Sequence, residues 1–229
     1  MSKQFIKSAG TTAALVSLVF AGILISSRGM QAFEDDDNDG GQSKIQKGFQ
    51  VAPVPLNLAG KNRALVGLGS YIVNAVSECN GCHSAGPQTE FVRGFNPYFG
   101  QPKKLNPATY LGGGRDFGPF PGPTSAVHII TRNLTPDKTG RAIGGASFSE
   151  FVEIMRHGTD FDHLHPTCSA TVTTNCLPPP FRGDLLQIMP WPAYQDMTDH
   201  DLRAIYEYLS SIPCIAGPPS PSPLHHDCT

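Results

Sequence analysis

Cys79-Asn80-Gly81-Cys82-His83 is a C-x-x-C-H pentapeptide, the form taken by a c-type haem attachment site. Two thiols so spaced occupy adjoining corners of one tight turn, so both can add to the two vinyl groups of a single haem. His83 is then held beneath the iron and offers a ring nitrogen as proximal ligand. Two other chemistries share part of the pattern. A thioredoxin-like redox pair has no need of the adjoining histidine, and a zinc ribbon wants a second C-x-x-C, which the chain lacks. Covalent haem attachment presupposes export, so the N-terminus bears on the reading.

Lys3 and Lys7 precede an apolar run from Ala13 to Ile25, broken only by Ser17 and Gly22. The run is shorter than the roughly 20 residues that cross a bilayer and matches the roughly 7–15 of a signal-peptide core. Residues 1–32 are therefore expected to be a signal peptide cleaved after Ala32. Met30, two positions earlier, is a poor small-residue substitute, which keeps an uncleaved membrane anchor open. A periplasmic or otherwise extracytoplasmic location follows. The cysteines agree: with Cys79 and Cys82 assigned to haem, Cys168, Cys176, Cys214 and Cys228 remain. An even remainder in an exported chain points to disulfides. Pairing Cys168 with Cys176 and Cys214 with Cys228 closes two local loops, against two other connectivities.

The 229 residues suit one domain with decoration, and 24 Gly with 21 Pro leave little for an apolar interior. A large cofactor serving as part of the core would compensate. The formal net charge is −2, more acidic once Lys3, Lys7 and Arg28 leave with the leader. That excludes a basic face for nucleic acid and predicts no lysine-rich rim for steering an acidic partner.

Residues 33–61 read as a flexible acidic leader. Asp35-Asp36-Asp37-Asn38-Asp39-Gly40 matches half a calcium loop, but Gln46 stands where the bidentate Glu belongs, so a solvated acidic run is the simpler account. Asn62 can cap a helix to about Ser77 with Leu65, Leu68, Ile72, Ala75 and Val76 on one face, Gly67 and Gly69 forming a packing notch and Tyr71 against the crossing partner. Residues 84–130 form a long Gly/Pro-rich loop expected to wrap a haem edge, from which Arg115 can reach a propionate. Asn133-Leu134-Thr135-Pro136-Asp137 marks a turn and has the form of a glycosylation sequon. Ser147 and Glu150 have capping-box spacing before a helix that Gly158 ends, and residues 159–186 read as a disulfide-tied insertion. Thr198 caps a last helix carrying Leu202, Ile205, Leu209 and Ile212, and the Pro-rich tail 214–229 should be extended.

A low-spin electron carrier needs a second axial ligand. Met155 lies within a helix and Met197 fits a hydrophobic staple to Leu202, so Met189, in the loop before Pro190-Trp191-Pro192, is the candidate, with His163 or His165 as rival. A thioether raises the potential relative to bis-histidine ligation. The indole of Trp191 can donate to a propionate or to a backbone carbonyl. The other His83 nitrogen should donate to a carbonyl of the Pro-rich loop, though the sequence does not identify which one.

These residues resemble a class I cytochrome c, and more narrowly the cytochrome c domains of alcohol and gluconate dehydrogenase cytochrome subunits. The resemblance rests on Tyr71 with the pentapeptide, the turn Asn133 to Gly140, the helix Phe148 to Gly158, Met189-Pro190-Trp191, Met197-Thr198-Asp199 and Tyr206-Glu207-Tyr208-Leu209. It covers roughly residues 62–213. It implies an all-α class I cytochrome c fold with one covalent haem c, His83 and Met189 as axial pair, and terminal helices crossing near Gly67, Gly69 and Tyr208. Taken with the reading of the residues themselves, Cys79, Cys82, His83, Met189, Trp191, Arg115 and Asn133 are the residues expected around the cofactor. The chain departs in carrying one C-x-x-C-H where those subunits carry three, and in its insertion and tail. The expectation is thus a freestanding monohaem electron carrier, not an enzyme, exchanging electrons with redox proteins and touching membrane only through an uncleaved N-terminus. Alternatives are a haem enzyme or gas sensor with a labile sixth ligand, and a non-catalytic subunit docked on a dehydrogenase.

Overall fold

The computed structural model describes residues 40–217 and 224–229. The signal segment and the acidic run through Asp39 lie outside them. The chain divides into two units, Met1–Ser43 and Lys44–Thr229. Of the first, residues 40–43 are described, and they are helical. Among the described residues no helix is long and apolar enough to cross a membrane.

The second unit opens with a helix over 44–51 (α1), where a flexible leader was expected. Ile45, Phe49 and Ala52 recur at helical spacing, and Gly48 between them lets α1 lie directly on the next helix. A Cβ at Gly48 would stand 1.8 Å from the Gly67 carbonyl oxygen, and one at Gly67 would stand 2.7 Å from Ile45 and Phe49 side-chain atoms. The Ser70 hydroxyl seals the contact by donating to the Gly48 carbonyl at 2.7 Å. Polar composition concealed this short apolar pattern.

Helix α2 spans Arg63–Tyr71, and Asn62 caps it as expected, its Oδ1 accepting from the Ala64 and Leu65 amides. A π-helical turn, Ile72–Val76, continues it. The extra residue per turn rotates the buried face, so Val66 and Val73 enter the core while Val76 is 64% exposed. The predicted stripe through Ala75 and Val76 therefore fails at its C-terminal end. Gly69 is the crossing point with the last helix, where a Cβ would lie 1.9 Å from the Ala204 oxygen and 2.8 Å from Tyr208 Cβ. Tyr208 is fully buried there, whereas Tyr71 is only partly buried.

A four-residue helix, Cys79–Cys82 (α3), follows. The long loop contains a 3₁₀ turn, Pro97–Phe99, and an antiparallel pair, β1 Asp116–Pro119 with β2 His128–Ile130. An all-α description is thus too narrow: the described residues form a helical core with one two-stranded sheet and long irregular segments. The turn Ala142–Gly145 (α4) contains non-helical Ile143 and Gly144. Helix α5, Phe148–His157, has the full capping box between Ser147 and Glu150 and ends at Gly158 with φ +69°. A turn Trp191–Tyr194 (α6) precedes α7, Asp199–Leu209, capped by Thr198. Leu202, Ile205 and Leu209 of α7 join Phe151, Met155, Val66 and Val73 in the core. Arg156 ties α5 to the start of α7, donating to the carbonyls of Gln195 and Met197 and pairing with Asp199.

Both local disulfides form, Cys168–Cys176 within the insertion and Cys214–Cys228 across the tail. The insertion is closed by an antiparallel bridge, Thr159↔Leu185, and tied within by a parallel one, Thr167↔Leu177. The tail returns to the 133–144 turn. Lys138 pairs with Asp227, and His226, 7% exposed, packs on Gly144. Burial holds the His226 pKa below its ordinary value.

Two outcomes follow from this packing. Gly69→Ala should destabilise the fold by about 1–3 kcal/mol through overpacking, read by chemical denaturation, while Gly122→Ala, with open space at its Cβ, should be nearly neutral. Because folded His226 resists a proton that the unfolded chain accepts below about pH 6.5, stability should fall as pH drops from about 7 to about 5. His226→Gln should flatten that slope in thermal melts, leaving the part due to other buried histidines.

Candidate functional site

The pentapeptide turn is set by its neighbours. Glu78, with φ +48°, turns the chain out of the π segment. The Gly81 amide then donates to the Glu78 carbonyl and the His83 amide to the Cys79 carbonyl at 2.9 Å. Asn80, 4% exposed, anchors the turn from within, its Oδ1 accepting from the Leu111 amide at 2.9 Å. The segment 110–114 is in turn sandwiched between the pentapeptide and residues 131–134. The Gly113 amide donates to the His83 carbonyl, the Gly114 amide to the Thr131 carbonyl and the Leu134 amide to the Leu111 carbonyl. Only glycine fits at 113, where φ is +69° and a Cβ would stand 2.5 Å from the Arg132 carbonyl carbon.

This stack brings the Arg132 carbonyl to the His83 ring. Nδ1–H donates to it at 2.8 Å, which leaves Nε2 as the free nitrogen. The carbonyl expected in the Pro-rich loop therefore comes from just beyond β2. Burial holds the His83 pKa below its usual value, the Arg132 carbonyl opposing that shift. The neutral imidazole, the form that binds metal, is the one favoured.

Cys79, Cys82 and His83 open onto a cavity of about 830 Å³, within the roughly 300–1,000 Å³ typical of cofactor sites. Its walls are mostly apolar, with Phe151 and Met155 of α5, Ile205 and Leu209 of α7, and Met189 among them. Cys79 and Cys82 are free thiols. Burial pushes the Cys79 thiol up to about 12, the opposite of the depressed value that makes a redox dithiol reactive. Among the described residues no cluster of three or more His, Cys, Asp or Glu side chains is arranged to hold a metal ion.

Met189 lies in a tightly stitched loop. Its amide donates to the Gln187 carbonyl, the Trp191 amide to the Met189 carbonyl, and the Leu186 amide to Gly158 at the end of α5. The Trp191 indole donates to the Leu186 carbonyl at 3.2 Å, one of the two partners expected of it. Trp191 does not line the cavity. Its ring lies on Gly158, where a Cβ would stand 2.3 Å from it. Ile188, beside Met189, has φ +70°, and Ile143, another wall residue, has φ +51°. A β-branched residue in that region is strained, and such strain gathers at functional sites.

The remaining expected residues divide. Arg115 is on the cavity wall, donating to the Gly81 carbonyl and lying over the Phe117 ring, and among the described residues it makes no ion pair. Asn133 does not face the cavity. It is fully buried, its amide donating to the Ile215 and Leu224 carbonyls while its Oδ1 accepts from Thr135, so it clamps the tail. His165 lines the cavity, but its ring nitrogens face Asn175 Oδ1 and the His128 carbonyl. His163 and Met197 do not line it, whereas Met155 does.

Sequence reasoning missed Arg132. Its guanidinium pairs with Asp160 at 2.9 Å and Asp162 at 2.7 Å, fixing the segment whose carbonyl holds His83. An arginine at a strand end with acids some 30 residues away leaves no local signal. The donor set suits a c-type haem: two free thiols and a fixed imidazole on one apolar cavity, an unpaired guanidinium beside them, and a thioether in a rigid loop.

Three relatives carry the resemblance further. The gluconate 2-dehydrogenase cytochrome c subunit of Pantoea cypripedii is 31% identical over 150 residues, 65% of this chain and 23% of that protein. The alcohol dehydrogenase (quinone) cytochrome c subunit of Gluconacetobacter polyoxogenes is 28% identical over 148 residues, 64% of this chain and 21% of its own. The fructose dehydrogenase cytochrome subunit of Gluconobacter japonicus is 24% identical over 172 residues, 75% and 26% respectively. The chain spans about a quarter of the length of these relatives. No family model matches, and no solved structure matches.

The Met189 loop depends on Gly158. Gly158→Ala should dislodge the indole, shift the emission of Trp191, the only tryptophan in the chain, to longer wavelength, and cost about 1–3 kcal/mol in denaturation.

Proposed function

We propose that this chain, which resembles the cytochrome c subunits of dehydrogenases, carries single electrons between redox proteins outside the cytoplasm. It does so through one haem c bonded to Cys79 and Cys82 and ligated by His83 and Met189. The observation that carries the reading is the shared cavity onto which the pentapeptide and the Met189 loop both open. Haem, when bound, supplies a one-electron couple whose potential a methionine ligand raises. The protein's own part is to orient and shield. The Arg132 carbonyl fixes the His83 tautomer, the stitched 186–191 loop presents the thioether, and the apolar walls keep water from the site. Arg115 is placed to meet an acidic group at the cavity wall. A rigid, dry pocket of this kind lets charge change without large rearrangement. The chain makes and breaks no bond of its own.

Two disulfides support an extracytoplasmic location. The relatives, named as subunits of gluconate, alcohol and fructose dehydrogenases, support a dehydrogenase as the electron donor. Whether the chain docks as a subunit or diffuses as a shuttle is decided by its co-purification with a dehydrogenase from native membranes.

The ligand assignment has a direct test because Met155 also lines the cavity. Met189→Ala should abolish the near-infrared sulfur-to-iron band of the oxidised protein and open the reduced protein to rapid carbon monoxide binding. Met155→Ala should retain the band. The reverse pattern assigns the thioether to Met155, and carbon monoxide binding by the unaltered protein as rapid as by Met189→Ala supports a sensor or enzyme instead.

A further inference from the structure

The segment 91–115 carries Arg93, Lys103, Lys104 and Arg115 and no acid, in a chain of net charge −2. Its first part, 91–105, is a hairpin. Phe91 and Leu105, each 8% exposed, bridge at its base within the core. The Val92 amide donates to the Lys104 carbonyl at 3.0 Å and the Lys104 amide to the Phe95 carbonyl at 3.2 Å, which carries the pairing toward the tip. Gly94 and Gly100, at φ +83° and +72°, make the bends. Asn96 accepts from the Tyr98 amide and caps the 3₁₀ turn. The tip is therefore ordered by its own hydrogen bonds, yet Tyr98 and Phe99 are each 76% exposed and Phe95 is 38% exposed. Arg93, Lys103 and Lys104 are exposed on the same hairpin, with the Lys104 ammonium 5.4 Å from the Phe95 ring centre.

Tyr98 meets Phe91 edge-on with ring centres 6.2 Å apart, but Phe99 has no aromatic or cation partner among the described residues, and folding gains little from holding it in water. We propose that the 91–105 hairpin is a docking surface for anionic phospholipid headgroups, with Tyr98 and Phe99 entering the headgroup layer and Arg93, Lys103 and Lys104 facing the phosphates. Aromatic rings flanked by cations are the composition of a membrane-interface anchor. Lysine is depleted from protein–protein interfaces. The cations do form a rim, contrary to the sequence expectation, because the hairpin gathers residues ten apart. It also adds a route to the membrane besides the N-terminus. Tyr98 lines the cavity as well, so a lipid surface engaged here borders the site. Phe99, Arg93, Lys103 and Lys104 do not line the cavity, and they carry the inference whatever the cavity holds.

The test is co-sedimentation of the protein, as its host exports it, with vesicles of phosphatidylcholine alone and of phosphatidylcholine with phosphatidylglycerol. Partition should favour the anionic vesicles and fall steeply with salt. Tyr98→Ser with Phe99→Ser, and separately Lys103→Gln with Lys104→Gln, should each lower it roughly tenfold or more. Unchanged circular dichroism would show that the fold is kept. Should either pair melt early, Arg93→Gln carries the same comparison. Equal partition onto both vesicle types, or wild-type partition by these variants, overturns the proposal. So does intact lipid binding by variants that exchange electrons more slowly with an acidic redox protein, which would assign the hairpin to a protein partner.

Discussion

At Gly69 the backbone of α2 comes against the Ala204 carbonyl of α7, closer than any side chain would allow, and the interior is arranged around that approach. The two helices meet over Tyr208, whose hydroxyl lies 2.8 Å from that of Tyr110. Asn74 closes the triangle, accepting from Tyr110 at 2.6 Å and donating to Tyr208 at 3.1 Å. A polar network buried this deeply is an asset only when every member is paired. Burial raises the pKa of both tyrosines, so both hydroxyls stay neutral donors. Because Tyr110 opens the segment stacked on the pentapeptide, the helix crossing also fixes Cys79, Cys82 and His83.

The second constraint is backbone stitching. His83 is delivered as the C-cap of the short α3, whereas Arg132 and Met189 sit in loops, and all three are held by hydrogen bonds to irregular segments. The Arg132 carbonyl reaches His83 only because Gly113 lets three chain segments lie in contact. Met189 keeps its place because Trp191 covers Gly158 and reaches the Leu186 carbonyl. The insertion contributes Asp160 and Asp162 to hold Arg132, so a region that looked like ornament supports the imidazole. The tail has a comparable part, since its return beneath Asn133 and Gly144 buttresses the wall residue Ile143.

The chemistry was legible wherever it is local. The pentapeptide announces itself by spacing. The caps of α2, α5 and α7 at Asn62, Ser147 and Thr198 form as their residue types dictate, because capping satisfies amides within one turn. The two disulfides close the short loops suggested by cysteine order. Reading failed where burial is carried by residues with no apolar signature. Gly67 and Gly69 were legible as a packing notch, but Gly48 and Ser70, which meet where α1 lies on α2, were not, because a hydrophobic pattern cannot see them. The π turn after Tyr71 then moved the register without any breaker residue.

What the amino-acid order determined by itself is the reactive grouping of Cys79, Cys82 and His83 and the helices that bracket it, since spacing and capping act within a few residues. Tertiary structure alone decided which carbonyl orients His83, that Asn133 clamps the tail instead of facing the cavity, that Met155 shares the wall with Met189, and that Arg93, Lys103 and Lys104 share one hairpin with Tyr98 and Phe99. Those outcomes depend on which distant backbones come into contact, and that is fixed by close packing at residues whose side chains are nearly absent.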